Sequence, residues 1–182
     1  TPEREAKYLF SKPVNLFMSR RLYYNDKGQK LDELTNNAPV DLVSLFKNNK
    51  DLTLLLSNQI PYGKQLDNII EHVPIRSRTY RDGAAHDFGI INMFAKNRAD
   101  FTLLYPQQVF GYSVEISAKN YEIAGIKPYV TGHLMCSNTP VMRNFINTLN
   151  EQLERLYANG KLLEAHLKYL RPQDADALKK YF

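Results

Sequence analysis

A cysteine thiol with a histidine base is one pair of side chains in this sequence that could carry out nucleophilic catalysis. The chain has one cysteine, Cys136, and His133 stands three residues before it. A thiolate nucleophile needs an aligned base and an orienting Asn or Asp, and closeness in sequence does not supply that alignment. The simpler interpretation of Cys136 is a small packed side chain near a strand end, because free cysteine is often buried.

The other three histidines, at positions 72, 86 and 166, are spread along the chain and form no H-x-x-x-H spacing that would suggest a metal. The sequence contains no G-x-S-x-G motif and no phosphate-cradling glycine loop, with only 8 glycines in all. General acid–base catalysis needs a positioned pair of groups in a cleft, and no such pair is indicated. We therefore expect no enzyme activity, no catalytic residue, no cofactor and no metal.

The positive charge of the chain is scattered. The formal net charge is +5, and the tightest basic groups are Arg20 with Arg21 and the set Arg76, Arg78 and Arg81. Nucleic-acid-binding proteins usually concentrate such charge on one face or carry a recognised motif. We expect these arginines to be solvated or locally paired, and we expect no nucleic-acid partner.

The middle of the chain, residues 41–126, alternates strand and helix patterns. The runs LTLLL and FTLLY are too short to span a membrane and are continuous, as in strands buried on both faces. This alternation favours a parallel or mixed sheet covered by helices. The predicted elements are a helix at 41–48 capped by Asp41, a strand at 52–56, a helix at 64–73, a strand at 76–81, a helix at 84–97, a strand at 101–105, a helix or turn from Pro106, and a strand at 121–126.

The last third of the chain is predicted to be extended at 127–138 and then helical. One helix, 140–158, ends at Asn159 and Gly160, a pair typical of a left-handed C-cap, and further helices are expected at 161–170 and 172–182. An apolar stripe on a helix usually marks a core or a docking surface. The stripe of the first helix consists of Val141, Phe145, Leu149, Leu153 and Leu156.

Short motifs follow one another in an order that one protein family shows. They are TPER, FSKP, NLFMSRRLYY, LDEL, DLVSLFKN, LTLLL, NRADFTLLY, YVTGHLMCSN and NTLNEQLERLYANGKLLEAHLKYL. In this order they resemble the type II periplasmic solute-binding proteins, specifically extracellular solute-binding protein family 3 of the polar amino-acid type. The resemblance covers nearly the whole chain. It implies an α/β fold with a complete lobe two and the C-terminal part of lobe one.

The resemblance also implies a domain organisation. Residues 1–24 would be a late lobe-one segment and the first hinge strand, 25–126 would be lobe two, and 127–182 would be the second hinge strand and the closing helices of lobe one. In the family, T-x-x-R lies late in lobe one, so we expect the front of lobe one and a secretion signal to precede Thr1. Without that front part, apolar stripes would be exposed and self-association is expected.

The family resemblance places Arg4 at the arginine of T-x-x-R, which grips the carboxylate of the solute. A guanidinium suits this role because its planar fork binds a carboxylate bidentately and stays charged. The alternative is a surface arginine paired with Glu3, Glu5 or another neighbour.

The second half of the expected grip is the loop 57–63, after the first lobe-two strand, with Ser57, Tyr62 and Gly63 as candidate ligand-binding residues. Backbone N–H groups at a helix start favour an anion there. The family usually has a small Ser/Gly/Thr-rich turn at this loop, whereas this chain has bulkier residues. Many members also place an aspartate for the ligand's ammonium where this chain has Tyr105, so either another acid serves or the solute has no ammonium. The alternative for Tyr105 is a core aromatic at a strand end.

The resemblance therefore predicts a periplasmic protein that captures a small, amino-acid-like carboxylate solute for an ABC-type transporter. Its mechanism would be hinge closure about strands 16–24 and 127–136. A membrane permease or a sensor protein would then bind the closed form. One alternative is a ligand-sensing or ligand-free signalling module on the same fold. A second alternative is a basic binder of nucleic acid or of an anionic surface, which would show strong salt dependence.

Overall fold

The computed structural model describes residue 4 and residues 7–25, 31–34, 38–83, 86–111 and 118–182. The chain forms two compact units. The first combines Thr1–Met18 with Tyr129–Phe182, and the second is Ser19–Pro128. The predicted lobe two, 25–126, lies inside the second unit. Strand 21–24, which the predicted boundaries assigned to the first hinge, belongs to the sheet of that unit.

The elements of the described residues alternate as expected in the second unit. The strands are β1 (Tyr8–Met18), β2 (Arg21–Tyr24), β3 (Leu54–Ser57), β4 (Arg78–Arg81), β5 (Phe101–Leu104), β6 (Lys119–Tyr121) and β7 (Tyr129–Ser137). The helices are α1 (Leu42–Asn48), α2 (Lys64–His72), α3 (His86–Ala95), α4 (Pro106–Gly111), α5 (Pro140–Ala158), α6 (Lys161–Leu167) and α7 (Pro172–Lys179). Short 3-10 turns lie at Asp32–Leu34 and Ile75–Ser77.

The second unit is built on a mixed five-stranded sheet in the order β4-β3-β5-β2-β6. Strand β3 runs parallel to both β4 and β5, whereas β2 is antiparallel to β5 and to β6. The predicted α/β class with a parallel or mixed sheet is confirmed.

Strand β3 shows why its sequence is a continuous apolar run. Leu54 and Leu56 pack into one core cluster, together with Leu45 of α1 and Ile70 of α2. Leu55 points to the other face and packs in a second cluster with residues of α3 and α4. Because side chains alternate along a strand, a strand covered on both faces needs apolar residues at every position.

Helix α1 begins where the sequence predicted. The carboxylate of Asp41 accepts hydrogen bonds from the backbone N–H groups of Val43 at 2.9 Å and Ser44 at 3.0 Å. This is an N-cap, which satisfies donors that have no partner within the first turn of a helix. Residues 42, 45 and 46, at helical spacing, are buried against the sheet.

We expect Asp41→Ala to lower the free energy of unfolding by about 1 kcal/mol at neutral pH. The pKa of Asp41 lies below its ordinary value, mainly because the backbone N–H of Ser44 donates to the carboxylate. Since the folded-state pKa is the lower one, the carboxylate stabilises the fold above the unfolded value of about 3.9. That stabilisation is lost as the pH falls through the folded pKa.

Urea unfolding at neutral pH and at about pH 3 tests this expectation, since the unfolded value lies near the lower pH. The difference between the native chain and Asp41→Ala should shrink at the lower pH. The exposed Asp51 provides a control, because it lies outside the helices and Asp51→Ala should change little. A difference for Asp41→Ala that is equal at both pH values would contradict the assigned cap.

The strand predicted at 121–126 is wrong in position. The structure places β6 at Lys119–Tyr121, and Ile123 makes only an isolated parallel bridge to Val40. Gly125 follows with a φ of 79°, a conformation that ends extended pairing.

The first unit consists of the antiparallel pair β1 and β7 with helices α5, α6 and α7. Gly160 adopts the left-handed conformation between α5 and α6, with a φ of 73°, as the Asn-Gly pair predicted. The core of this unit is small and joins β1 to the C-terminal segment. It contains Leu16, Met18, Leu170 and Leu178.

The apolar stripe predicted for α5 is only partly correct. Leu153 is buried, but Val141 and Phe145 are exposed, and Ile146, which the stripe omitted, is buried. Exposed apolar side chains also lie on β7, namely Val130, Leu134 and Met135.

The two ends of the second unit are hydrogen-bonded to each other. The backbone N–H of Ser19 donates to the carbonyl of Pro128 at 2.9 Å, and the Ser19 hydroxyl donates to the carbonyl of Lys127 at 2.6 Å. The chain therefore enters and leaves this unit at adjacent points.

Within the part of the chain that is described, none of the helices combines the length and the hydropathy needed to cross a bilayer.

Candidate functional site

The candidate site lies at one edge of the sheet in the second unit. Because β3, β4 and β5 are parallel, their carboxyl ends meet at that edge, at Ser57, Arg81 and Leu104. Strand β2 is antiparallel to β5 with Arg21 opposite Leu104, so Arg20 lies at the same edge as Tyr105. In open α/β sheets, ligands bind outside the carboxyl ends of the strands.

The loop between β3 and α2 is held by Tyr62. The backbone N–H of Ser57 donates to the Tyr62 hydroxyl oxygen at 2.8 Å, and the Ser57 hydroxyl accepts from the N–H of Gln59 at 3.2 Å. The N–H of Tyr62 donates to the carboxylate of Asp67 at 3.0 Å, which fixes the loop against the first turn of α2. The structure thus brings two predicted site residues, Ser57 and Tyr62, into direct contact.

Gly63 is the N-cap of α2, with φ 98° and ψ 144°. Only glycine adopts this region without strain, so the residue type follows from the backbone there. Gly63 makes no side-chain capping hydrogen bond to the first turn of the helix. Its N–H groups therefore lie at the same strand end as Ser57 and carry the positive end of the helix dipole.

The guanidinium of Arg20 lies at this edge between two aromatic rings. Its central carbon lies 4.6 Å from the ring centre of Tyr62 and 4.5 Å from that of Tyr105. Both distances are typical of cation–π contacts. Arg20 is only 8% exposed, and one of its terminal nitrogens, Nη1, donates to the carbonyl of Leu103 at 3.4 Å. Arg20 therefore links Tyr62 and Tyr105, both predicted site residues.

The prediction that the clustered arginines are solvated or locally paired is wrong for Arg20 and right for Arg21. Arg21 forms an ion pair with Glu122 at 3.2 Å and a hydrogen bond with Asn120. Arg20 is buried, and its Nε has no hydrogen-bond partner among the residues that the structure describes. No local sequence signal distinguishes these two neighbours, because their difference depends on which strand end Arg20 faces.

A second polar group of the same edge follows β4. The side-chain amide of Asn58 donates to the carboxylate of Asp82 at 2.8 Å. The guanidinium of Arg81 lies over α3, in the space that a Cβ at Gly89 would occupy. Gly89 is therefore what allows Arg81 to lie against this helix.

Comparison with protein-family models and with curated protein sequences gives no match. Comparison with solved structures gives matches over nearly the whole chain. The ancestral cationic amino acid solute binding protein AncCDT-1 matches at a TM-score of 0.63 and 14% identity, covering 94% of this chain and 66% of that one. The fold is that of the type II periplasmic solute-binding proteins.

Two further structures with this fold support the assignment. The L-cystine solute receptor of Neisseria gonorrhoeae, in its unliganded open conformation, has a TM-score of 0.62 and 16% identity, with 93% of this chain and 63% of that chain covered. The probable amino-acid ABC transporter extracellular-binding protein YtmK of Bacillus subtilis has a TM-score of 0.57 and 17% identity, with 95% and 68% covered. The chain spans about two thirds of the length of these proteins.

The remaining predicted site residue, Arg4, is exposed and in a helical conformation, and it belongs to the first unit. Its alternative partners, Glu3 and Glu5, lie outside the described residues. The ligand role of Arg4 stays a prediction, as do those of Ser57, Tyr62, Gly63 and Tyr105.

Asp100 directly precedes β5 and makes a structural contact at the opposite end of that strand from Tyr105. Its carboxylate accepts from the N–H of Thr53 at 2.9 Å and from the Thr53 hydroxyl at 2.8 Å. These bonds tie the start of β5 to the residue before β3, and so they set the register that brings Ser57 and Tyr105 to one edge.

The catalytic alternative for Cys136 gains no support. The His133 ring contacts the Ser11 carbonyl at 2.7 Å and the Thr131 hydroxyl at 3.1 Å. Cys136 is three positions further along β7, so it points to the opposite face of the strand pair. Across the described ranges, no group of three or more His, Cys, Asp or Glu side chains could hold a metal ion.

Proposed function

We propose that this chain is part of a periplasmic protein that captures a small polar carboxylate-bearing solute of amino-acid size for an ABC-type transporter. The observation that carries the proposal is the edge formed by Ser57, Tyr62, Gly63, Arg20 and Tyr105. It combines N–H donors at a helix start with a buried guanidinium. Both kinds of group stabilise a carboxylate. Three structures of this fold carry names of amino-acid or cystine binding proteins, which supports the same class of solute.

The full-length protein tests the proposal. A panel of small carboxylate-bearing metabolites should contain at least one that raises the melting temperature. A solute at 100 times its Kd stabilises the bound form by about 2.7 kcal/mol. Native mass spectrometry of the freshly purified protein should show a co-purified small molecule. The absence of any thermal shift across the panel would overturn the proposal.

A second candidate is a ligand-sensing or ligand-free signalling module on the same fold. One observation favours it: the Tyr62 hydroxyl already accepts the Ser57 N–H that the solute would use. A solute would have to displace the Tyr62 hydroxyl from this N–H, and that competition would weaken solute binding. A full-length protein that binds no solute, but that associates with a membrane-anchored signalling partner, would support this candidate.

The partners remain part of the proposal. A permease or sensor protein would contact the solute-loaded form after hinge closure, and no catalytic step, cofactor or nucleic acid takes part. Exposed apolar side chains of the first unit, such as Val141 and Phe145, favour a protein partner that covers them, and we propose that this partner is a second copy of the chain. A mass in light scattering that rises with protein concentration would support self-association. An affinity for arbitrary DNA that does not increase when the salt concentration is lowered would exclude the nucleic-acid alternative.

A further inference from the structure

Arg20 is a buried cation that has no acidic partner among the described residues. Within the residues that the structure describes, the ion pairs involve other basic side chains, including the neighbouring Arg21. The Arg20 guanidinium donates to a backbone carbonyl at 3.4 Å, and its buried Nε has no hydrogen-bond partner in the part of the chain that the structure describes. A buried guanidinium is costly unless it is paired and its N–H groups are satisfied.

The two tyrosine rings offset part of the free-energy cost of burying the guanidinium. Tyr62 and Tyr105 both lie within cation–π distance of the guanidinium carbon, and they hold the group in place. Ring faces do not satisfy N–H donors along the edge of the guanidinium, however. Among the described residues the guanidinium therefore has no strong acceptor, and the strongest acceptor for its planar fork of N–H groups is a carboxylate.

The position of Arg20 bears on which charged groups the solute can carry. Arg20 contacts Tyr105, which stands where the family resemblance expects an aspartate for the ammonium of an amino acid. An ammonium at this point would lie beside a buried positive charge, and like charges in a poorly solvated site repel strongly. The charge at this position is thus the reverse of the one that an amino acid requires.

We infer that the solute is an organic acid without an ammonium group, and that Arg20 binds one of its carboxylates beside Tyr62 and Tyr105. This inference rests on the proposed function and narrows its substrate class. Arg20 is then a specificity-determining residue, because it attracts an acid and repels the corresponding amino acid. The loop 57–63 faces the same edge and contains no acidic residue, and the two carboxylates bonded to it, Asp67 and Asp82, accept hydrogen bonds from the Tyr62 N–H and from the Asn58 amide.

Matched pairs of compounds test the inference on the full-length protein. Each pair shares a carbon skeleton and differs in the ammonium: succinate with L-aspartate, glutarate with L-glutamate, and 3-phenylpropionate with L-phenylalanine, within a wider panel of carboxylates built in the same way. Calorimetry should show at least one acid that binds at least about 10-fold more tightly than its amino acid, as expected for one charged hydrogen bond. Amino acids that bind as tightly as their matched acids, or more tightly, would overturn the inference and leave the proposed function standing. No binding by any compound would overturn both.

Variants at Arg20 assign the effect to this side chain. Arg20→Gln should weaken the binding of the preferred acid by at least about 10-fold, and Arg20→Lys should weaken it less, because lysine keeps the charge and loses the planar fork. Arg98→Gln is the matched control: Arg98 is exposed in the same unit and precedes β5, at the opposite end of the strand. It should bind like the native protein.

A structural role of Arg20 would give a different result. If Arg20 only holds the two tyrosines together, Arg20→Gln lowers the melting temperature and leaves the relative affinities of acid and amino acid unchanged, which would overturn the inference. If Arg20→Gln fails to fold, the matched pairs measured on the native protein and on Arg20→Lys still decide between the two roles.

Discussion

Phe101→Ala is expected to lower the free energy of unfolding of the second unit by about 3–5 kcal/mol. Phe101 is fully buried, its ring stacks on Tyr24 at 4.7 Å, and it meets Phe46 edge-on at 5.4 Å. Truncation removes a large apolar surface and two ring–ring contacts, and it leaves a cavity at the centre of the sheet. Urea unfolding followed by far-UV circular dichroism measures the loss, since the chain has no tryptophan.

The matched control is Phe88→Ala, because Phe88 belongs to the same unit and its side chain is 45% exposed. We expect a loss below about 1 kcal/mol for this variant, since little apolar surface is removed from a packed environment. Equal losses for the two variants would mean that Phe101 does not lie at the centre of this core.

Arg4→Ala should weaken solute binding by the full-length protein by roughly 10- to 150-fold, the range for one hydrogen bond to a charged group. Arg4 is exposed in the structure, so the same change should leave the melting temperature of the solute-free protein nearly unchanged. The expected signature is therefore a loss of the solute-induced thermal gain without a loss of stability. Calorimetry with the solute identified by the carboxylate panel gives the affinity.

Arg143 offers the control for Arg4, because it is an exposed arginine on α5 of the same unit. Arg143→Ala removes the same charge, so any general effect of net charge on an anionic solute would appear in both variants. If both variants lose affinity equally, Arg4 makes no specific contact. If neither loses affinity, the role that the family resemblance gives Arg4 is wrong.

Much of the fold of the second unit could be predicted because its local signals agree with its packing. A strand covered on both faces has no polar alternation, so the run around Leu55 indicated its own burial. Asp41 and Gly160 are residue types that specific helix ends require, and both were found at those ends. The fold assignment followed from the order of such segments, and the structural comparisons confirm it.

The predictions failed where tertiary pairing decides the outcome. The segment 121–126 has strand composition, yet it is Lys119–Tyr121 that pairs with β2 as β6, and Ile123 bridges to Val40 instead. On α5, helical periodicity allowed several apolar faces, and the contact with β1 selected the one that includes Ile146 and Leu153.

The positions of Ser57, Tyr62 and Tyr105 at strand ends could be inferred from the sequence, because these residues follow or end predicted strands. Their ligand roles stay predictions. Arg20 was overlooked as one of a basic pair, because nothing local distinguishes it from Arg21. The antiparallel register of β2 against β5 places Arg20 beside Tyr105, and such a register is visible only in the folded chain.

The hydrogen bonds of Ser19 with Lys127 and Pro128 have a practical consequence for protein engineering. They place the two termini of the unit Ser19–Pro128 side by side. A segment with adjacent termini can be excised, circularly permuted or inserted into a surface loop of a host protein with little cost in chain closure. Because Arg20 directly follows the excision point, such a graft would transfer the arginine together with both tyrosines.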